Sequence, residues 1–250
     1  MIRIAAIAIA LVSPLSAAAM VGGAEPAAAD VGGAVVMLTG SRGSFCSGVA
    51  LARDLVLTAA HCVAAGAEYK LIDFDGARRP LLKAISSIAR HPEFDAAAAL
   101  RHRVTADVAL IKLAAPLALV PAVLAPSTGA VVAGDRFVVA GYGVAVRGDG
   151  KTAGIVRSAT LIATGQPGSL QIRLADPAGG ERAGLGACTG DSGAPVYREV
   201  GGTPAVIGVV SWSTGPALRE GCGGLTGVTP LARYRAWIVE QAGRMASPLR

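Results

Sequence analysis

Short β-branched segments, each closed by turn-forming residues, constrain the fold of this chain more than any other feature of its sequence. Val, Ile and aromatic residues favour extended backbone, while Gly, Pro and Asp favour the turns between them. Many short strands separated by turns predict an all-β barrel or sandwich. Segments of this kind lie at 35–39, 49–51, 55–58, 108–113, 136–140, 169–174 and 205–212.

A Pro-rich stretch, residues 114–130, divides these segments into two comparable halves. It lacks a clear hydrophobic period and is interpreted as a linker between two β subdomains. We therefore predict one β domain over 20–125 and a second over 126–250. The second ends in a helix, capped by Thr229 with Pro230 in its first position. The apolar face of this helix carries Leu231, Tyr234, Trp237, Ile238 and Met245.

The chain begins with the pattern of a secretory signal peptide. Arg3 supplies a positive charge, residues 4–12 are an unbroken apolar run, and mainly small residues follow up to Ala19. Such a segment is removed on export, so we expect 1–19 to be cleaved near the bond between Ala19 and Met20, with a cut after Ala18 as the alternative. The run is shorter than the ~20 apolar residues of a membrane span. The sequence thus predicts a secreted or periplasmic protein without a membrane span.

Composition and charge exclude two further classes. Hydrophobic residues make up 52% of the 250 residues, whereas a disordered chain needs low hydrophobicity and high net charge. The formal net charge is +6, but the basic residues are scattered, and nucleic-acid binding calls for a cluster with a recognition motif. We expect no nucleic-acid partner.

Export also changes how the four cysteines are interpreted, because thiols tend to pair outside the cytoplasm. Four cysteines allow three connectivities. The cost of closing a loop favours the two near pairings, Cys46 with Cys62 and Cys188 with Cys222. A zinc site would need a C-x-x-C spacing or clustered histidines, and neither is present in the sequence. We predict two disulfides, no metal and no cofactor.

Three motifs hold the residue types of nucleophilic catalysis. His61 lies in TAAHC (58–62), Asp107 opens the segment DVALIKL, and Ser192 lies in GDSGAP (190–195). Each motif alone is compatible with an ordinary loop, but their joint occurrence with flanking cysteines is hard to obtain by chance. A serine hydroxyl is a weak nucleophile that needs an adjacent base, and the base needs an orienting group.

Together these motifs resemble the trypsin- and chymotrypsin-like serine endopeptidases, in particular secreted members of bacterial type. The resemblance covers about residues 20–246 and includes MVGG at 20–23, Ser211-Trp212-Ser213, and, more weakly, His91-Pro92 and Gly141-Tyr142-Gly143. It implies two six-stranded antiparallel β-barrels packed together, with a C-terminal α-helix. It also implies a monomer that hydrolyses polypeptides through an acyl-enzyme and is open to protein protease inhibitors.

The same resemblance assigns the catalytic roles. His61 takes the proton of Ser192, and Asp107 holds the imidazole; the family places this Asp just before a strand, which favours Asp107 over Asp95. The backbone N–H groups of Gly190 and Ser192 form the oxyanion hole. A freed N-terminus pairs with the Asp before the catalytic Ser, so Met20 is expected to pair with Asp191. Because Met20 follows the predicted signal cut, we predict that signal peptidase itself creates this activating N-terminus.

The resemblance also locates the primary specificity pocket. Gly186 stands at its base, where trypsin-like members carry an Asp, so cleavage after Lys or Arg is not expected. Ala187, Ser213 and Gly227 would line the walls, and Ser211 and Trp212 would contact the substrate. Small uncharged walls predict an uncharged or apolar P1 residue. The long segment 214–221 borders the pocket, and its Arg219 is the argument for an acidic P1 residue instead.

Two other functions are alternatives to proteolysis. An α/β-hydrolase esterase expects G-x-S-x-G and the order Ser, acid, His, whereas here Ala194 replaces the last Gly and the order is His, Asp, Ser. A catalytically silent, protease-like binding or adhesion protein is the remaining alternative. Such proteins usually lose a triad member, and this chain keeps all three.

Overall fold

The computed structural model describes residues 20–249, except 76, 78, 128, 166–169 and 180–183. The predicted signal peptide, 1–19, therefore lies outside the described residues. The strands in chain order are β1 (Glu25–Pro26), β2 (Val35–Gly40), β3 (Phe45–Ala52), β4 (Leu55–Thr58), β5 (Tyr69–Phe74), β6 (Pro80–Arg90), β7 (Ala109–Leu113), β8 (Val123–Leu124), β9 (Arg136–Gly141), β10 (Arg157–Ala163), β11 (Ile172–Ala175), β12 (Pro195–Val200), β13 (Thr203–Ser213) and β14 (Thr226–Pro230).

Two closed antiparallel barrels form from these strands. The first closes in the order β2-β3-β4-β7-β6-β5. The second closes in the order β9-β10-β11-β14-β13-β12, with β12 returning to β9. β1 adds to β10 at the side, and the short β8 pairs in parallel with β13. The expected fold of two six-stranded barrels is confirmed, and closure leaves neither barrel with a free sheet edge of its own.

The helices are short. They are α1 (Ala29–Gly32), α2 (Ala96–Leu100) and α3 (Arg235–Arg244), with 3₁₀ turns at Ala60–Val63, Gly150–Thr152, Pro216–Leu218 and Leu231–Arg233. The C-terminal helix is confirmed, but its predicted start is wrong. Thr229 and Pro230 end β14, a 3₁₀ turn follows, and α3 begins only at Arg235 without a side-chain cap. Pairing with β13 holds Thr229 and Pro230 in extended backbone.

The passage between the barrels lies within the Pro-rich stretch. The Ala122 N–H donates to the carbonyl of Ala50 in the first barrel, and the Ala125 N–H donates to Val206 in the second. The boundary at 125/126 between two domains stays a prediction. α3 returns across this passage, because Tyr234, Ile238 and Ala242 pack in one cluster with residues of both barrels.

The core of the molecule is built from small aliphatic side chains. Its fully buried members are mainly Val, Leu, Ile and Ala, with few aromatic residues among them. The predicted disulfides are present: Cys46–Cys62 joins β3 to the 3₁₀ turn at 60–63, and Cys188–Cys222 joins two loops of the second barrel. Among the described helices, none is long and apolar enough to cross a membrane.

Candidate active site

His61 lies in the 3₁₀ turn that follows β4, at the face where the first barrel meets the second. The alanines before it, Ala59 and Ala60, are fully buried, so the chain turns tightly beneath the ring. Cys62 is bonded to Cys46 in β3, which fixes the turn from its other side. The imidazole is about one-third exposed, at 31%, so one edge of the ring stays open to the cleft.

Asp107 stands just before β7 and is fully buried. Its Oδ2 lies 2.8 Å from His61 Nδ1, and its Oδ1 accepts the backbone N–H of His61 at 2.9 Å. The Ser211 hydroxyl donates to Oδ2 at 2.5 Å. A carboxylate at this distance places the ring proton on Nδ1 and leaves Nε2 as the basic atom. Asp95 is elsewhere: it caps α2 by accepting the N–H groups of Ala97 and Ala98.

The charges of this pair depend on each other. Burial alone lowers the pKa of His61, but the charge and hydrogen bond of Asp107 outweigh it and raise that pKa above its ordinary value. Burial raises the pKa of Asp107, but the His61 charge and the bonds from His61 and Ser211 outweigh it and hold that pKa below its usual range. The site therefore favours an ionised Asp107 beside a basic imidazole.

Ser192 lines a cavity of about 520 Å³ that opens between the two barrels. Within the described part of the chain, no group hydrogen-bonds its hydroxyl. The contact between this hydroxyl and His61 Nε2 stays a prediction, and such contacts are often loose in unliganded enzymes. The structure brings His61 and Asp107 into direct contact and places Ser192 at the cleft on the opposite barrel.

The two proposed oxyanion donors, the N–H groups of Gly190 and Ser192, flank Asp191 in one tight loop. Gly190 has a φ of +95° and Gly193 a φ of +78°, a region that favours glycine. A Cβ on Gly190 would overlap the Phe45 ring, so the loop packs directly against β3. Glycine at 190 is therefore required by both backbone conformation and space.

Asp191 is fully buried at the centre of this loop. It accepts the N–H of Gly143 and that of Cys188, each at 2.9 Å. Burial raises the pKa of Asp191 to about 7, even though both backbone hydrogen bonds lower it. A Cβ on Gly141 or Gly143 would overlap the carboxylate, which explains the two glycines around Tyr142.

The segment that opens the predicted mature chain lies next to this loop. Met20 is fully buried in the core of the second barrel, and the Val21 carbonyl accepts the N–H of Gly186 at 3.3 Å. No cation pairs with Asp191 among residues 20–249 with the stated gaps, so its pairing with a freed Met20 amine stays a prediction.

Some of the predicted pocket residues do not reach the open cavity. Gly186 and Ala187 are buried and are not among the residues that line the cavity. A Cβ on Gly227 would overlap the Trp212 indole, so Gly227 packs directly against that ring. Ser213 does line the cavity, and its hydroxyl donates to the Gly221 carbonyl at 3.2 Å. Arg147, Arg219 and Glu220 supply charges among the lining residues.

Sequence reasoning missed two residues at this site. Thr226 is fully buried beside Gly186, and its Oγ1 accepts the Ala187 N–H at 3.0 Å. His102 stacks on Trp212 with the ring centroids 4.6 Å apart. It lines both the Ser192 cavity and a neighbouring one of about 460 Å³ that holds His61 and Ser211. No local pattern marks either residue, because both contacts join distant parts of the chain.

Cys46, His61 and Cys62 bring potential metal-ligating atoms within 4.8 Å of one another. Both sulfurs belong to the Cys46–Cys62 disulfide, and metals are bound by thiolates. The cluster therefore braces the His61 turn and offers no metal site.

Comparison with known proteins agrees with this geometry. A family model described as "Trypsin" matches residues 20–238. A protein named "Trypsin" from Xenopus laevis is 27% identical over 231 residues, which cover 88% of this chain and 89% of that protein. A protein named "Vitellin-degrading protease" from Bombyx mori is 28% identical over 211 residues, covering 78% of this chain and 75% of that one.

Proposed function

Since this chain belongs to the trypsin family of serine endopeptidases, we propose that it cleaves peptide bonds through Ser192, His61 and Asp107. The observation that carries the proposal is the double contact of Asp107 with the ring and backbone of His61. That contact fixes the tautomer in which Nε2 is free to accept a proton. A binding protein would have no need for a buried carboxylate aimed at an imidazole that is about one-third exposed.

The proposed reaction has two halves. His61 Nε2 takes the proton of the Ser192 hydroxyl as Ser192 Oγ attacks the substrate carbonyl. The oxyanion formed is held by the N–H groups of Gly190 and Ser192, where one such donor contributes about 10²–10³ in rate. Imidazolium then protonates the leaving amine, and an acyl-enzyme remains. Water, deprotonated by His61, releases the acid and restores the Ser192 hydroxyl.

We propose a preference for uncharged P1 side chains. Gly186 carries no charge at the expected pocket base, and Thr226 fills space beside it with a hydroxyl already bonded to Ala187. Arg147 and Arg219 at the cavity rim support the second candidate, an acidic P1 residue. A peptide library varied at P1 decides: cleavage after Ala, Val or Leu supports the first, and cleavage after Glu or Asp supports the second.

We further propose that the enzyme is exported, as a secreted or periplasmic protein, and activated by removal of residues 1–19. The burial of Met20 and the hydrogen bond from the Gly186 N–H to the Val21 carbonyl support this proposal, because Asp191 is a buried carboxylate in need of a cation. Mass spectrometry of the mature chain tests this. A mature chain beginning anywhere other than Met20 would contradict it.

The silent binding or adhesion protein is tested by active-site labelling. A fluorophosphonate probe forms a bond with an activated serine. We expect labelling of the mature wild-type chain and none of Ser192→Ala. A folded wild-type chain that stays unlabelled favours the binding protein.

A further inference from the structure

Ser47 is a fully buried serine in β3. Each of its polar groups, the hydroxyl, the backbone N–H and the carbonyl, makes a hydrogen bond. Its hydroxyl donates to the Gly190 carbonyl at 2.8 Å and accepts the Tyr142 N–H at 2.9 Å. Its backbone N–H donates to the Ser192 carbonyl at 2.8 Å, and its carbonyl accepts the Thr58 hydroxyl at 2.7 Å. One residue of the first barrel thus holds three segments, two of which belong to the second.

Ser47 bonds two carbonyls of the nucleophile loop, the segment 190–193 that carries Ser192. These carbonyls belong to Gly190 and Ser192, the residues that carry the proposed oxyanion donors. The peptide between Gly190 and Asp191 is fixed at its other end too, because the Asp191 N–H donates to the Cys188 carbonyl at 3.0 Å. Gly190 has no side chain to restrict its backbone. Without the Ser47 hydroxyl, the Gly190 carbonyl would lose the hydrogen bond that fixes the orientation of the Gly190 backbone.

The Ser47 hydroxyl also joins the loop to the backbone around Asp191. It accepts the N–H of Tyr142, and the next residue, Gly143, donates to Asp191 Oδ1. The hydroxyl therefore links the backbone at Tyr142 to the backbone at Gly190, and each of these residues is next in sequence to a member of the Asp191–Gly143 hydrogen bond. The methyl group of an Ala at 47 would remove the hydroxyl that the Gly190 carbonyl and the Tyr142 N–H both bond.

We propose that Ser47 is a positioning residue for the oxyanion hole: its hydroxyl and backbone N–H together aim the N–H groups of Gly190 and Ser192 at one point. Ser47 is fully buried and touches no substrate, so it acts only through that loop. The inference rests on the proposed function, since it presumes that these two N–H groups bind the developing oxyanion. A residue of the first barrel thus helps to position the oxyanion donors, both of which lie in the second barrel.

The test compares Ser47→Ala with Ser247→Ala. Ser247 is a matched control because its hydroxyl is also buried and bonded, to Asp54 at 2.6 Å, but at the far end of β4 from the site. Misplacing a reacting geometry by about 1 Å costs about 10²-fold in rate. We expect kcat of Ser47→Ala to fall about ten- to hundredfold with KM within about twofold, and affinity for a peptide boronate to fall by a similar factor. Ser247→Ala should change only Tm.

Amide hydrogen exchange across residues 189–193 supplies a readout that needs no turnover. It should be faster in Ser47→Ala and unchanged in Ser247→Ala. Ser47→Thr keeps the hydroxyl and should recover most of the lost kcat; Ser47→Gly gives a second hydroxyl deletion if the Ala variant does not fold. The proposal is overturned if kcat, boronate affinity and amide exchange of a folded Ser47→Ala or Ser47→Gly variant match the wild type. It is also overturned if Ser47→Thr, at the Tm of the wild type, has a kcat as low as that of the hydroxyl deletion. An inactive wild type would overturn the proposed function instead, and the exchange comparison would still test Ser47.

Discussion

Asp107 accepts hydrogen bonds from both the ring and the backbone of His61, while Ser211 donates to it from a third side. A single carboxylate therefore sets the position, the tautomer and the basicity of the imidazole. An amide at 107 could keep the shape of this site, but its NH₂ group would meet His61 Nδ1 and reverse the tautomer.

The variant Asp107→Asn tests that role. We expect kcat/KM on a peptide substrate to fall about 10³–10⁴-fold, because Nε2 would then carry the proton and could not act as base. Tm should change far less than activity. Asp95→Asn is the control, since Asp95 only caps α2, and its kcat/KM should stay within about twofold of wild type. Equal losses in the two variants would contradict the assignment.

The pH profile follows from the same pair. Asp107 raises the pKa of His61 above its ordinary value of 6.5, and only neutral imidazole accepts the Ser192 proton. We expect kcat/KM to fall with acidification, with a midpoint above 6.5 and a slope of about one. A profile measured between about pH 4 and 9 checks this. A rate that stays flat down to about pH 4 would exclude His61 as the base.

At the scale of elements, the connection between α2 and β7 lays His102 on the Trp212 ring. Gly227 also packs against the indole, and the Arg173 guanidinium lies over the ring, 5.8 Å from its centroid. A substrate that extends from Ser192 over Trp212 therefore meets His102 first. The segment between α2 and β7 thus narrows the cleft where the cavity lined by Ser192 meets the cavity lined by His61, because His102 lines both.

The variant His102→Ala should open that border. An aromatic pair contributes about 0.5–1.5 kcal/mol, so KM for a tetrapeptide substrate should fall about two- to tenfold. A substrate with only a P1 residue does not cross Trp212, and its KM should not change. Steady-state kinetics with both substrates measures the difference. A larger KM for the tetrapeptide would mean that His102 binds the substrate.

The strands show which elements a sequence can and cannot predict. β2, β4 and β9 have buried apolar residues between turns, and the predicted segments match them closely. β6 was missed because most of its side chains are exposed, so neither alternation nor an apolar run marks it. β14 contains Gly227 and ends at Pro230; its strand form comes from pairing with β11 and β13.

The candidate site divides in the same way. TAAHC and GDSGAP indicated His61 and Ser192 because their chemistry depends on local backbone and residue type. The contacts of Ser47, His102 and Thr226 join segments far apart in the chain, and only the closed barrels bring them together. Gly227 was expected in the pocket wall, and its place against Trp212 depends on the pairing of β13 with β14.

For the whole molecule, the proposed pairing of the Met20 amine with Asp191 predicts that removal of residues 1–19 changes how stability depends on pH. With no amine beside it, the folded chain holds a proton on Asp191 up to its pKa of about 7, whereas the unfolded chain releases it near 3.8. The folded state of a chain that keeps 1–19 therefore loses stability as pH rises from about 4 to 7. A mature chain with its amine at Asp191 escapes this loss.

Thermal unfolding at pH 5 and pH 8 tests the coupling. The loss between pH 5 and the Asp191 pKa of about 7 spans about two pH units, which correspond to about 3 kcal/mol. The unprocessed chain should therefore lose about 5 to 10 °C in Tm over this range relative to the mature chain. Asp191→Asn should remove the difference between the two chains. Identical pH dependence of processed and unprocessed wild type would contradict the pairing of Met20 with Asp191.

The two disulfides have a consequence for where the enzyme can work. One braces the turn of His61 and the other ties the nucleophile loop to the far wall of the cavity, so each half of the cleft depends on one oxidation. In a reducing compartment, where thiols stay unpaired, both halves would lack their brace. A chain kept in the cytosol would therefore lack both braces, and we expect it to cleave peptides more slowly than the oxidised chain.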